Sequence, residues 1–499
     1  MVFSIIKKGG SQRRALKEAL QQARSYEEWL SSARALDEAE GLMAWRESPG
    51  TSLLHENLIR EHMMAMRQCR EQGDAPGLNR VLQESLYRHL GELSNPELYG
   101  VARSGTKFLV EAYLDEVELS MGFICDQPMP GVSDRRKLAM FREAERVFGQ
   151  PALLLSGGAA FGIYHMGVTR ALWQQHLLPS VIAGSSMGAI VAGGICSRDP
   201  SELEVLFQQP ESIHREAFRW RRAGEAWRRR HLMDPQQLLA HIRSNVGRIS
   251  FREAAEHSGR SLNISVSPTR TRQKPRLLND LASPEVMIDS ALLASCAVPG
   301  IYPPVRLRAR DGDGDKPYMA TEKWIDGSVH GDLPLMRMAR LQNVNRTIVS
   351  QANPHVLPFI HHHQSQGSGA GVRRVAATVM GAQVATTLKL TRSGWNDAPL
   401  LGPILNQAHA MTTQPYLGDI NIQFPVKARY YRRVLANPSL EDLQWYIRLG
   451  EKATWPKIAM IRDQTRISRI FADCIARLRA RAVSEAGSGD AATAGGGGL

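Results

Sequence analysis

The chain of 499 residues is long enough for more than one domain, and its 43% apolar and 22% charged content is that of an ordinary soluble globular protein. No window approaches the roughly 18 consecutive apolar residues of a membrane-spanning helix, and the five scattered cysteines form no C-x-x-C pair, which excludes a disulfide framework and a zinc site. The formal charge of +13 favours polyanionic partners; no nucleic-acid motif accompanies it, so nucleic acid is not expected as a partner.

The first residues, MVFSIIKKGGSQRR, place basic residues after a short apolar run, the reverse of a secretory signal, and predict a reduced, cytoplasmic protein. Residues 11–150 read as an α-helical domain: 17–36 and 57–70 carry apolar positions at helical spacing, and Pro49-Gly50 and Asp74-Ala75-Pro76-Gly77 punctuate it. From Pro151 the pattern changes to short apolar runs alternating with helices, at 152–155, 181–183, 262–266 and 346–350, which predicts a mainly parallel α/β sheet over 151–356.

Within that region seven arginines fall between Arg215 and Arg230, while Ile213, Ala217, Trp220, Gly224 and Trp227 recur at the spacing of one helical face. Such a segment suits either a lipid interface or a solvated helix packed on its own domain. Residues 357–483 read as a C-terminal helical extension, with helical patterns at 372–390 and 467–478. Residues 484–499, almost all Gly, Ala and Ser, predict a disordered tail. The run His361-His362-His363 reads as a solvated loop. Asp311-x-Asp313-x-Asp315 fails as a calcium loop because Lys316 occupies the position that needs glycine. No metal and no cofactor is expected.

Two glycine-rich turns carry the chemistry. Gly184-Ser185-Ser186-Met187-Gly188 is G-x-S-x-G between a strand and a helix, the setting in which a serine hydroxyl projects above a sheet, and Ser186 is the candidate nucleophile. Gly157-Gly158-Ala159-Ala160-Phe161-Gly162 opens a helix with exposed backbone N–H groups, donors for an oxyanion to which the N–H of Met187 adds another. Its G-G-x-x-x-G spacing does not match a dinucleotide loop. Further on, Trp324-Ile325 leads into Asp326-Gly327-Ser328, which alone would be an ordinary turn.

Taken together, LSGGAAFGIYHMGV, GSSMGAI and WIDGSVHGDLP resemble the patatin-like phospholipase family. The stretches 26–46, 95–117, 259–268, 343–356 and 416–422 are similar to its triacylglycerol-lipase branch, which carries an N-terminal helical domain of unknown function. The resemblance implies a three-layer α/β fold with a mainly parallel central sheet, preceded by the helical region. It implies a Ser186–Asp326 dyad without histidine, an oxyanion hole built around Gly157, Gly158, Ala159, Gly162 and Met187, and an Asp-Gly motif continued by Gly327 and Ser328. The implied substrate is a glycerolipid at a membrane or lipid-droplet surface, cleaved through an acyl-serine. Phe161 stands where many members carry Arg or Lys, which suits a neutral glyceride. Three alternatives stay open: a phospholipase or transacylase using the same dyad, an inactive lipid-binding protein, and a Ser-His-Asp hydrolase using a histidine such as His330.

Overall fold

At Pro151, where the composition shifts, helices give way to a sheet in the computed structural model, which describes residues 2–494 apart from 49, 88–92, 130, 271–272, 313, 328–332, 355–416 and 426–427. The chain divides into two compact units, Met1–Pro151 with Asn343–Arg346 and Trp455–Leu499, and Ala152–Gln342 with Thr347–Thr454.

The first unit is helical. It holds α1 (Val2–Gln22), α2 (Tyr26–Ala39), α3 (Leu42–Glu47), α4 (Glu56–Glu71), α5 (Ala75–Tyr87), α6 (Phe108–Asp126) and α7 (Asp134–Phe148). Side chains stop these helices from extending backward: Ser25 accepts from Glu28 N and Ser133 from Arg136 N, each satisfying a first-turn donor. The core joins Ile59, Met66, Leu78, Tyr113 and Val117 to Phe471, Cys474 and Leu478 of the long last helix. The apolar stripe expected at 467–478 therefore belongs to this unit.

The second unit is built on a seven-stranded sheet in which Arg276–Leu278, Ser261–Pro268, Val181–Gly184, Gln150–Leu155, Val344–Gln351 and Ile420–Gln423 lie side by side in that order, and Trp324–Asp326 pairs with Ser261–Pro268 off this path. Its strands are β1 (Gln150–Leu155), β2 (Val181–Gly184), β3 (Ser261–Pro268), β4 (Arg276–Leu278), β7 (Trp324–Asp326), β8 (Val344–Gln351) and β9 (Ile420–Gln423). A separate hairpin pairs β5 (Arg308–Asp311) with β6 (Gly314–Pro317). β1, β2 and β3 pair in parallel, as do β8 and β9. Every residue of β2 and the last four of β1 are buried, as strands covered on both faces must be, and this explains why they read as continuous apolar runs. Helices α8 (Tyr164–Gln174) and α9 (Met187–Cys196) follow β1 and β2. After them come α10 (Pro200–Gln208), α11 (Ala223–Arg229), α12 (Pro235–Val246), α13 (Phe251–Ser258), α14 (Ile288–Ser295), α15 (Leu335–Leu341) and α16 (Leu440–Thr454), while α17 (Ile458–Ala494) lies in the first unit. The observed architecture is thus the mainly parallel sheet with helices and a helical N-terminal region that the sequence predicts.

The structure differs from expectation in three places. Residues 213–227 are not one helix: Trp220 bridges Met233 in antiparallel fashion and Arg221 N donates to Leu232 O, so pairing with a neighbouring segment overrides the helical period. The stretch expected to be a helical extension contributes β9 and α16 to the sheet-bearing unit and α17 to the helical one. Helix α17 continues to Ala494, into residues whose composition predicts disorder. Asp311 and Asp315 sit in the β5–β6 hairpin, where Arg308 and Arg248 hold the Asp315 carboxyl well below the usual carboxylate range. The helical pattern at 372–390 and the His361-His362-His363 run lie outside the described residues.

Candidate active site

The site forms where β2 stops. Ile264 of β3 pairs with Gly184 on one edge and with Leu278 of β4 on the other. Two residues further along, Val266 pairs with Arg276 of β4 and, on the edge that β2 has left, with Asp326 of β7. The elbow that carries Ser186 and the strand that carries Asp326 thus follow one another along the same edge of β3. This is how residues far apart in sequence reach one place.

Ser186 adopts φ 53° and ψ −124°, a conformation that costs a non-glycine residue about 1–3 kcal/mol and that clusters at functional sites. The surroundings enforce it. A Cβ at Gly188 would stand 2.3 Å from Ser156 O and 2.4 Å from Leu155 O, so α9 can begin this close to the end of β1 only with glycine there. Gly162 does the same for the neighbouring turn, where a Cβ would meet Met187 Cγ at 2.5 Å. The backbone N–H of Ser186 donates to Ser295 Oγ at 3.0 Å.

A cavity of about 180 Å³ has Ser186, Asp326, Gly157, Gly158, Ala159 and Met187 in its wall, together with the apolar side chains of Ile190, Phe218, Leu238, Val298 and Ile301. Six of the residues expected at the site therefore share one space. Gly162, Gly184 and Gly188 stand behind it as backbone supports, Gly327 follows Asp326 against Ser265 O, and Ser328 and His330 lie outside the described residues. Within the glycine-rich turn the N–H of Ala160 is spent on Val434 O at 2.9 Å and that of Phe161 on Gly158 O at 3.0 Å. Those of Gly158, Ala159 and Met187 have no hydrogen-bond partner among the described residues. Ala159 is also held at φ 47°. Three unengaged donors beside a strained serine can stabilise negative charge on an atom placed in the cavity.

Several residues of the site carried no sequence signal. Cys296 lines the same cavity as Ser186; burial first and the Asp326 charge second push its thiol up, so it stays protonated and is not a thiolate nucleophile. Tyr302 and Asn353 complete the wall. His165, fully buried on α8, places Nε2 3.0 Å from Ser156 O and Nδ1 2.7 Å from Ser350 Oγ, and burial pushes its pKa down to about 4. It is neutral, with Nε2–H donating and Nδ1 accepting, and it braces the residue that precedes the glycine turn. No described histidine lines the cavity, nor does any Lys or Arg among the described residues.

Two family models match the chain, a domain of unknown function (DUF3336) over residues 6–146 and patatin-like phospholipase over residues 153–339. Over 479 residues the chain is 33% identical to triacylglycerol lipase ptl2 of Schizosaccharomyces pombe, covering 92% of this chain and 75% of that protein. Triacylglycerol lipase ptl3 of the same organism is 30% identical over 482 residues, 94% of this chain and 99% of that one. Triacylglycerol lipase SDP1L of Arabidopsis thaliana is 32% identical over 489 residues, 93% of this chain, which spans only 58% of that protein's length.

Proposed function

We propose, for a chain that belongs to the patatin-like phospholipase family and to its triacylglycerol-lipase branch, that it hydrolyses fatty-acyl esters of glycerolipids through Ser186 and Asp326. The observation that carries this reading is the meeting of Ser186, Asp326 and the unengaged N–H groups of Gly158, Ala159 and Met187 around one apolar-walled cavity. The Asp326 carboxylate takes the Ser186 proton as Oγ attacks the ester carbonyl carbon. The carbonyl oxygen, now an oxyanion, accepts from the three N–H groups. Collapse breaks the bond to the glycerol oxygen, which leaves with the proton from Asp326, and an acyl-serine remains. Water then gives a proton to Asp326 and adds to the acyl carbon; the second collapse releases the fatty acid and returns the proton to Ser186. A carboxylate is a weaker base than imidazole, so much of the rate falls to the oxyanion donors.

A neutral glyceride fits better than a phospholipid. Phe161 is fully buried and stacked on Phe424 at 4.7 Å, and the described wall holds no Lys or Arg to pair with a phosphate. A second apolar pocket of about 100 Å³ shares Met187, Ile190 and Phe218 with the first, and offers the acyl chain a place to continue. Among the described residues no helix is long and apolar enough to cross a membrane, and the substrate would be met at a membrane or lipid-droplet surface. Labelling with a fluorophosphonate probe tests the mechanism: wild type is expected to label and Ser186→Ala not to. Release of fatty acid from trioleoylglycerol in preference to phosphatidylcholine tests the substrate, and labelling that survives in Ser186→Ala overturns the assignment.

A further inference from the structure

We propose that residues 220–233 form a docking element for an anionic phospholipid surface, one that brings the mouth of the Ser186 cavity onto the lipid. The inference rests on the lipid-hydrolase reading and adds to it the part of the surface that finds the substrate.

The segment is a two-stranded loop with α11 at its tip. Trp220 bridges Met233, Arg221 N donates to Leu232 O at 2.9 Å and Asp234 N donates to Arg219 O at 3.0 Å. Its base is fixed. Arg221, with only 11% of its side chain exposed, pairs with Glu225 and, at 3.1 Å, with Asp234. Leu232 N donates to Gly300 O at 3.1 Å and Met233 N to Ile301 O at 3.0 Å, which fastens the loop to a wall of the cavity that Ser186 lines.

The tip has the opposite character. Trp227 is 84% exposed. Arg222, Arg228 and Arg230 are exposed around it and have no ion-pair partner among the described residues, whereas Arg229 shares Glu225. A single exposed tryptophan is unremarkable by itself. Here it stands among unneutralised guanidinium groups on a loop anchored at the catalytic cavity. The indole ring prefers the boundary between headgroups and acyl chains, and arginines beside it pair with lipid phosphates. Nucleic acid would also meet the charge, but a side chain this exposed stands on a tip, whereas stacked bases need rings set along a groove.

The test uses the full chain and sedimentation with vesicles of phosphatidylcholine alone or with about a third phosphatidylserine. Wild type is expected to bind the anionic vesicles more tightly, and added salt to weaken that binding. An anionic surface contributes about fivefold in partitioning per arginine, so neutralising Arg222, Arg228 and Arg230 together to Gln is expected to cost roughly a hundredfold on anionic vesicles. Trp227→Ala is expected to weaken binding to both kinds of vesicle. Thermal melting of each variant reads folding separately. Wild-type labelling by a soluble fluorophosphonate without lipid reads the catalytic assignment separately, so its failure sinks the hydrolase reading and not the docking element. Variants that bind anionic vesicles as wild type does overturn the proposal, as does a wild type that binds DNA but neither kind of vesicle.

Discussion

The Ser295 hydroxyl accepts the backbone N–H of Ser186 at 3.0 Å and donates to Ser265 O at 2.8 Å, so one buried side chain ties the elbow to the strand that pairs with Asp326. Removing it leaves a donor and an acceptor unsatisfied in the interior, at about 1–3 kcal/mol. Ser295→Ala is expected to melt lower and, because the elbow loses a fixed point, to lower kcat about tenfold or more with KM little changed. Steady-state kinetics on a soluble ester check this. An unchanged kcat would show that the elbow is held without Ser295.

Gly188 allows no Cβ, since Ser156 O and Leu155 O lie 2.3 and 2.4 Å from where it would sit, and both acceptors are main-chain atoms at the end of a buried strand. Gly188→Ala must push α9 away from β1 and take Ser186 with it. The expected result is a loss of stability of about 1–3 kcal/mol, or more, together with loss of fluorophosphonate labelling. Denaturant melts and gel fluorescence read the two effects.

His165 makes stability depend on pH. Its pKa falls from an ordinary value near 6.5 to about 4 on folding because burial disfavours the charged ring. The unfolded chain therefore binds a proton that the native state excludes. The stabilisation is fully present above about pH 6.5 and is lost as pH falls toward 4, amounting to about 3 kcal/mol. His241, lowered to about 4 by burial and then by His214, acts in the same direction. In His165→Gln the unfolding free energy is expected to fall less steeply between pH 6.5 and 4 than in wild type, as urea titrations at several pH values would record.

The parts legible in the sequence were those where backbone sterics demand particular residues. Gly184, Gly188 and Gly162 mark close approaches with no room for a side chain, and Leu153, Leu154 and Leu155 mark a strand buried on both faces; both signals are local. Ser295 and His165 were not legible, because their value lies in partners far away along the chain, Ser186 and Ser350, and no spacing announces it. The strands β4 and β9 are short, and each is specified by its neighbour in the sheet rather than by its own pattern. Residues 213–227 show the limit from the other side. Ile213, Ala217, Trp220, Gly224 and Trp227 keep a helical period, yet the Trp220–Met233 bridge claims the backbone first. The same register that hid this loop from a periodicity reading fastens it at the cavity.

The choice between a dyad and a triad comes down to Asp326 and His330. Asp326 ends β7 in the wall of the Ser186 cavity, and no described histidine shares that wall. If Asp326 takes the proton directly, Asp326→Asn removes the base and is expected to lower kcat about 10²–10⁴-fold while the folded state survives, since asparagine keeps the shape. His330→Ala is then expected to keep activity within about twofold, because the imidazole has no proton to carry in this reaction. A triad predicts that both variants fall together, as members of one unit do. Measuring the two in one assay, with melting temperature as the control for folding, decides between them: equal losses in Asp326→Asn and His330→Ala would replace the direct carboxylate base with a histidine relay.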